Sequence, residues 1–296
     1  ELARPTLFIA NSDLEAKKVY NELRFYTKDK VEYLGSDEIY FYHLDAKDRN
    51  EEAKKLRVLL KLAKKQKTIV VTSVDAILRK YIPKNVLLDN IYTYKIGDII
   101  DLEELSQKLV RLGYERVSRI EGLGQFSIRG GIIDIYSLEY TNPIRIELFD
   151  DEIDSIRTFD VFSQKSIEKI KKVVITPSRE FIYPEDTTSA VEKIQLETNQ
   201  YTDDDVFNNI ENIAQKTYFQ GVENYIDYLY EENNKSIFNY LPDNAIVVMN
   251  DISRLKERCE NFVNEFNDNF NLNLERGLAI KNQGNLIYSY DELPDR

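Results

Sequence analysis

The sequence predicts an α/β protein: a doubly wound body interrupted by a small inserted α+β domain. Three observations carry this expectation. Apolar runs at residues 7–10 and 68–72 are each followed at once by a helical pattern, the spacing of strand–helix units on a parallel sheet. After about residue 96 short strand patterns crowd together, and six of the ten glycines fall between Gly97 and Gly131. After about residue 181 helical patterns return around one more apolar run, residues 243–248. The expected boundaries are therefore 1–95 for the first part of the body, 96–180 for the β-rich insertion and 181–296 for the second part.

The elements follow in order. Residues 7–10 read as a buried strand, and Asn11-Ser12-Asp13 as a helix cap. Leu14, Val19, Leu23 and Phe25 give an approximately helical stripe to about Tyr26. A helix over 50–65 gathers Leu56, Leu59, Leu60 and Ala63 on one side, with its lysines as a solvated face. The β-branched run 68–72 suits a parallel strand covered on both faces. Ser73 caps a helix over 74–81, which Pro83 ends. In the insertion, a helix over 102–112 stops at Gly113. Strands are expected at 115–120, 125–129, 132–136, 144–149, 152–159 and 172–176, with Gly122-x-Gly124 as a hairpin turn. Helices over 189–198, 203–216 (capped by Asp203-Asp204-Asp205) and 222–230 lead to the strand 243–248 and a long helix over 251–266.

Composition bounds the function. With 296 residues and 42% hydrophobic content the chain can build a real core. A net charge of −12 argues against sequence-independent attraction to a phosphate backbone, which lowers the reading as a DNA-binding module. One cysteine, Cys259, excludes a disulfide framework and a cysteine zinc site; it reads as a small buried hydrophobe. The one histidine, His43, sits among Ile39, Tyr40, Phe41 and Tyr42 with no nucleophile elbow, and reads as structural. No apolar run approaches the roughly 18 residues of a membrane span, and no leader pattern is visible. A reducing, cytoplasmic location is expected. The opening Glu1-Leu-Ala-Arg-Pro5, without an initiator methionine, reads as an excerpt from a longer chain.

A parallel sheet of this kind invites a search for nucleotide chemistry. The phosphate loop Gly-x4-Gly-Lys-Ser/Thr is missing, and no glycine in the chain is followed by lysine. A nucleotide hydrolase also needs acidic residues at the end of a buried strand to hold magnesium. After the run ending at Val248, Asn250 stands where the metal-binding aspartate would be, followed by Asp251. This is a degenerate acidic box, and no cofactor or metal is expected for this chain.

In the insertion, alternation along 144–149 puts Ile144, Ile146 and Leu148 on one face and Arg145, Glu147 and Phe149 on the other. Phe126 and Ile128 share a face opposite Ser127 and Arg129. Arg129, Arg145 and Glu147 are expected to share an outer surface with Arg116. Such a surface has the composition of a protein contact. From pattern alone the stronger reading is cross-strand ion pairing on a solvated sheet, worth roughly 0.2–1 kcal/mol per pair.

Three strings then carry a resemblance: residues 113–116 (Gly-Tyr-Glu-Arg), residues 124–136 around Gln125-Phe-Ser-Ile-Arg-Gly-Gly131, and residues 144–157 from Ile144-Arg-Ile-Glu-Leu-Phe149 onward. Phe159-Asp160, Gln164-Lys-Ser166 and Ile175-Thr-Pro-Ser178 continue them. The flanks 69–78 and 239–243 match as well, so the likeness covers nearly the whole chain. These strings resemble domain 2 of the nucleotide-excision-repair protein UvrB, and resemble still more closely the UvrB-like module of the bacterial transcription-repair coupling factor family. Two departures favour the latter. UvrB has a long aromatic DNA-clamping hairpin where residues 40–45 here run directly into the next helix. UvrB also has an Asp-Glu-Ser-His box where this chain has Asn250, Asp251, Ile252 and Ser253.

The resemblance implies a degenerate helicase-like body of phosphate-loop NTPase type without its own ATPase. It implies a β domain that binds UvrA through Arg116, Arg129, Arg145 and Glu147, with Leu148 and Phe149 adjacent; Ser127 stands where UvrB has an arginine. It implies further that contacts to RNA polymerase and DNA, an ATP- and Mg2+-driven translocase motor and a C-terminal domain masking the UvrA surface would lie downstream of Arg296. The rival expectation is an ATP-dependent DNA damage-recognition protein or helicase of UvrB type.

Overall fold

The computed structural model describes residues 4–28, 30–41 and 49–293. His43 lies outside them. In chain order the first elements are β1 (Thr6–Ala10), α1 (Asp13–Tyr26), β2 (Val31–Leu34), α2 (Arg49–Ala63), β3 (Ile69–Ser73), α3 (Val74–Ile77) and α4 (Lys84–Asp89). Then come β4 (Tyr92–Lys95), α5 (Leu102–Arg111), β5 (Glu115–Arg116), β6 (Gln125–Arg129), β7 (Ile132–Ile135), β8 (Ile144–Phe149), β9 (Glu152–Phe159), β10 (Ser166–Ile170) and β11 (Lys172–Ile175). The last are α6 (Thr188–Glu197), α7 (Asp204–Ala214), α8 (Ile226–Leu229), β12 (Ile246–Met249) and α9 (Ile252–Glu275). The protein is thus a mixed α/β structure. It divides into two compact units: Glu1–Lys47, Val58–Asn85 and Tyr183–Arg296 form the first, Asp48–Arg57 and Val86–Ile182 the second.

The first unit holds a four-stranded parallel sheet in the order β12-β1-β3-β2. Both faces of its central strands are covered. Ala10 and Val71 pack with Ala16, Val19, Tyr20 and Leu23 of α1, while Leu7, Ile9 and Val70 are equally buried. The inward stripe of α1 is therefore Ala16, Val19, Tyr20 and Leu23, at helical spacing. Leu14 and Phe25, which the sequence stripe included, lie off it and are exposed. β12 is half-buried rather than fully buried, because it is an edge strand.

Other departures have local causes. The helix after β3 stops at Ile77, short of the expected Tyr81, and Ser73 donates to Asp13 Oδ1 at 2.8 Å instead of capping with its side chain. α9 runs nine residues past its expected end through Asn-rich sequence of poor helix propensity. Burial of Phe266 and Phe270, stacked at 6.1 Å, and the Asn273 side chain donating to Asn269 O at 2.7 Å hold that extension. Cys259 is buried in α9, and burial pushes its thiol up to about 11, which fits the reading as a small hydrophobe.

The second unit holds a six-stranded sheet, β10-β9-β8-β7-β6-β5, and a β11-β4 pair. α5 covers one face. Its cap Asp101 accepts from Glu104 N at 2.9 Å, and Leu105, Leu109 and the following Leu112 recur at i, i+4, i+7. They bury against Phe126, Ile133, Ile135, Ile144, Ile146, Ile153 and Ile156. The Tyr114 hydroxyl, buried beneath, donates to Thr176 O at 2.8 Å. β5 and β6 pair in parallel, so Gly122-x-Gly124 is not a hairpin turn. Residues 117–124 loop back to restart the chain in the same direction, with Glu115 N donating to Gly124 O and Val117 N to Phe126 O. Among the described residues no helix is long and apolar enough to cross a membrane.

Candidate docking site

The β6–β7 connection is a two-residue Gly130-Gly131 turn, with Gly130 at φ +58°. A residue with a side chain is strained there. The tight turn ends β6 at Arg129, which leaves that side chain half exposed at the rim of the sheet.

Inside the rim, pleat alternation sends Ile133 and Ile135 into the core and Asp134 to the opposite face. Asp134 is only 2% exposed. A carboxylate so deeply withdrawn from water must be paired. Arg145 supplies the pair bidentately, Nε to Oδ1 at 2.6 Å and Nη2 to Oδ2 at 2.8 Å, and Arg129 Nη2 adds a third bond at 3.0 Å. Arg145 also donates to Gln164 Oε1 at 3.0 Å and lies 4.3 Å from the Phe159 ring centre. The bonds to Asp134 hold the Arg145 guanidinium above its usual range. Next along β8, Glu147 accepts from both Nη atoms of Arg157 and from Ser155 Oγ at 2.8 Å. The Arg157 bonds hold its carboxyl below the usual range.

The predicted residues therefore separate. Arg129, Arg145 and Glu147 do share one face. Arg145, through Nε and Nη2, and Glu147, through both carboxylate oxygens, are engaged within the domain. Leu148 packs against the core. Phe149 is exposed at the β8–β9 turn. Arg116 stands apart: its register partner is Phe126, a core residue, so β5 places it on the other side of the sheet, exposed at the edge. Asp134, which joins the two arginines, is missing from the sequence-level set. A lone acid in the apolar run Ile132-Ile-Asp-Ile135, on the face of Arg129, was the available signal.

Asn250 and Asp251 belong to the first unit. Asn250 follows β12, and its Nδ2 donates to Glu15 Oε1 at 2.7 Å. The Glu15 carboxylate also accepts from Asn11 N at 3.3 Å, and Ser12 Oγ accepts from Glu15 N at 3.3 Å. Asp251, at φ +57°, caps α9 by accepting from Arg254 N at 3.3 Å. The β1–α1 turn is only Asn11-Ser12, and the chain's own carboxylate fills the start of α1. Among the described residues no cluster of His, Cys, Asp or Glu is placed to hold a metal ion.

Residues 93–181 match the family of the UvrB interaction domain. Beyond it, the whole chain is 31% identical over 307 residues to the transcription-repair-coupling factor of Bacillus subtilis (strain 168), covering 99% of this chain and 26% of that protein. To the same factor of Staphylococcus epidermidis (strain ATCC 12228) it is 30% identical over 301 residues, covering 97% and 26%. To that of Staphylococcus aureus (strain USA300) it is 29% identical over 303 residues, covering 95% and 25%. The resemblance drawn from the motif strings thus holds along the chain. The chain spans about a quarter of the length of the curated relatives it matches. The matched segment contains the Asp134 cluster and all six predicted contact residues; Asn250 and Asp251 fall outside it.

Proposed function

We propose that this chain is a recruitment module that docks UvrA through its UvrB interaction domain. The carrying observation is Arg129: half exposed, fixed by a tight turn, and oriented by a buried carboxylate inside the matched domain. In the longer protein the module brings excision repair to stalled RNA polymerase. Contacts to polymerase and DNA, the ATP-driven motor and a masking C-terminal domain then reside in other regions. Binding of purified UvrA should weaken about tenfold in Arg129→Ala with a melting temperature lowered by no more than a few degrees, since an exposed anchoring arginine is typically worth roughly 1–2 kcal/mol in a contact. Equal binding by wild type and Arg129→Ala would sink the assignment of this face.

The body is proposed as a helicase-like scaffold without ATPase activity of its own. A helix N-terminus after a parallel strand attracts phosphate through its free N–H groups and dipole. Here Glu15 and Ser12 occupy that end, and the Glu15 charge repels a phosphate. Calorimetric titration with ATP and Mg2+ is expected to show no saturable heat below about 1 mM, weaker than roughly −4 kcal/mol. Micromolar binding would instead revive a UvrB-type ATP-dependent damage-recognition enzyme.

A further inference from the structure

The turn between β9 and β10 carries the most exposed large apolar side chain among the described residues, Phe162, at 90%. An isolated exposed apolar residue on a loose loop needs no explanation. This one is not on a loose loop. Asp160 N donates to Lys165 O at 2.9 Å and Gln164 N to Asp160 O at 2.8 Å. Asp160 Oδ1 accepts from both Ser163 N and Ser163 Oγ at 2.7 Å, and Gln164 Nε2 donates to Val161 O at 2.7 Å. The turn is held in one shape, with Gln164 at φ +59°.

It is also tied to the docking face. Arg145, whose guanidinium organises Asp134, donates to Gln164. Arg119, on the loop after β5, donates to Phe162 O at 3.3 Å. Phe149 is exposed at the β8–β9 turn, at the opposite end of β9. Seven residue steps of strand separate the two turns, about 23 Å. A typical contact covers roughly 800 Å² per partner, a patch about 28 Å across, so one footprint can span both turns. Phe162 also lies in the gap between Phe159-Asp160 and Gln164-Lys-Ser166, the stretches that carry the family resemblance.

We propose that Phe162 is an apolar anchor of the docking surface, inserting into an apolar pocket on UvrA beside an acidic group that receives Arg129. This rests on the docking reading. A rigid aromatic side chain loses little conformational freedom on binding, which is why such residues dominate contact energetics. The full 296-residue chain and purified UvrA provide the test by biolayer interferometry, alongside melting curves. Phe162→Ala is expected to weaken binding about tenfold, Phe162→Asp more, and Phe162→Leu to recover part of the loss, all at unchanged melting temperature. If Phe162→Ala binds within twofold of wild type while Arg129→Ala is impaired, the anchor is wrong and the docking reading stands. If Phe162→Ala is impaired only in proportion to a lowered melting temperature, Phe162 is structural and the anchor is again wrong. If wild type does not bind UvrA, the docking reading fails and the anchor with it.

Discussion

Asp134→Ala is expected to destabilise the second unit by about 3–5 kcal/mol, the usual cost of breaking a buried ion pair from one side. The carboxylate is 2% exposed and accepts hydrogen bonds from two guanidinium groups. Without it, Arg145 remains half-enclosed, facing Arg129 with no anion between them. Arg145→Ala should cost a comparable amount, because it strands the Asp134 charge with one partner at the rim. Arg129→Ala should cost less than about 1 kcal/mol, since that pair is half in water. Urea unfolding followed by circular dichroism measures all three; the chain has no tryptophan to report by fluorescence. An Asp134→Ala variant within 1 kcal/mol of wild type would show that the cluster does not support the domain. The contrast has a functional edge: loss of docking in Arg145→Ala reflects loss of arrangement, whereas loss in Arg129→Ala reflects loss of contact.

Gly277→Ala is expected to be more damaging still, to the first unit. Gly277 follows α9 at φ +76°, and a Cβ built there lies 2.0 Å from Tyr201 O and 3.2 Å from Asp203 N. Those atoms are backbone, so no side-chain rotation relieves the overlap. Asp203 N donates to Gly277 O at 3.0 Å, which fixes the approach, and Asp203 also caps α7. The expected loss exceeds about 4 kcal/mol, a large part of an ordinary domain's stability. Gly130→Ala is the internal control. It has a positive φ but nothing within 4 Å of the new methyl, so only the left-handed strain of about 1–2 kcal/mol applies. Thermal melts and soluble yield compare the two. Equal losses would mean that the close approach at Tyr201 relaxes freely.

Much of the fold could be read from pattern. The strands now β6, β8 and β9 have their expected bounds, and α5 ends at its expected glycine. There, local propensity, turn chemistry and burial agree. β2, β4 and β10 were not legible. Each is four or five residues long, and β4 and β10 expose alternate or nearly all side chains. Short strands of that kind exist because a neighbouring strand offers its hydrogen bonds, which no local window contains. The parallel β5–β6 pair was hidden for the same reason: glycines after a strand signal a turn, not whether the chain comes back reversed.

The docking face divides in the same way. Alternation assigned Arg129, Arg145 and Glu147 to one side of a sheet, because side chains of a strand must alternate whatever surrounds them. Motif strings named the UvrB-like module. Neither could say that Arg145 and Glu147 are engaged within the domain while Arg129 is half free, that Asp134 joins the arginines, or that Arg116 lies across the sheet. Those facts depend on register between strands and on turns that meet only in the folded domain. A residue's face is a property of its own strand, but its exposure and its partners belong to the neighbours that folding brings to it.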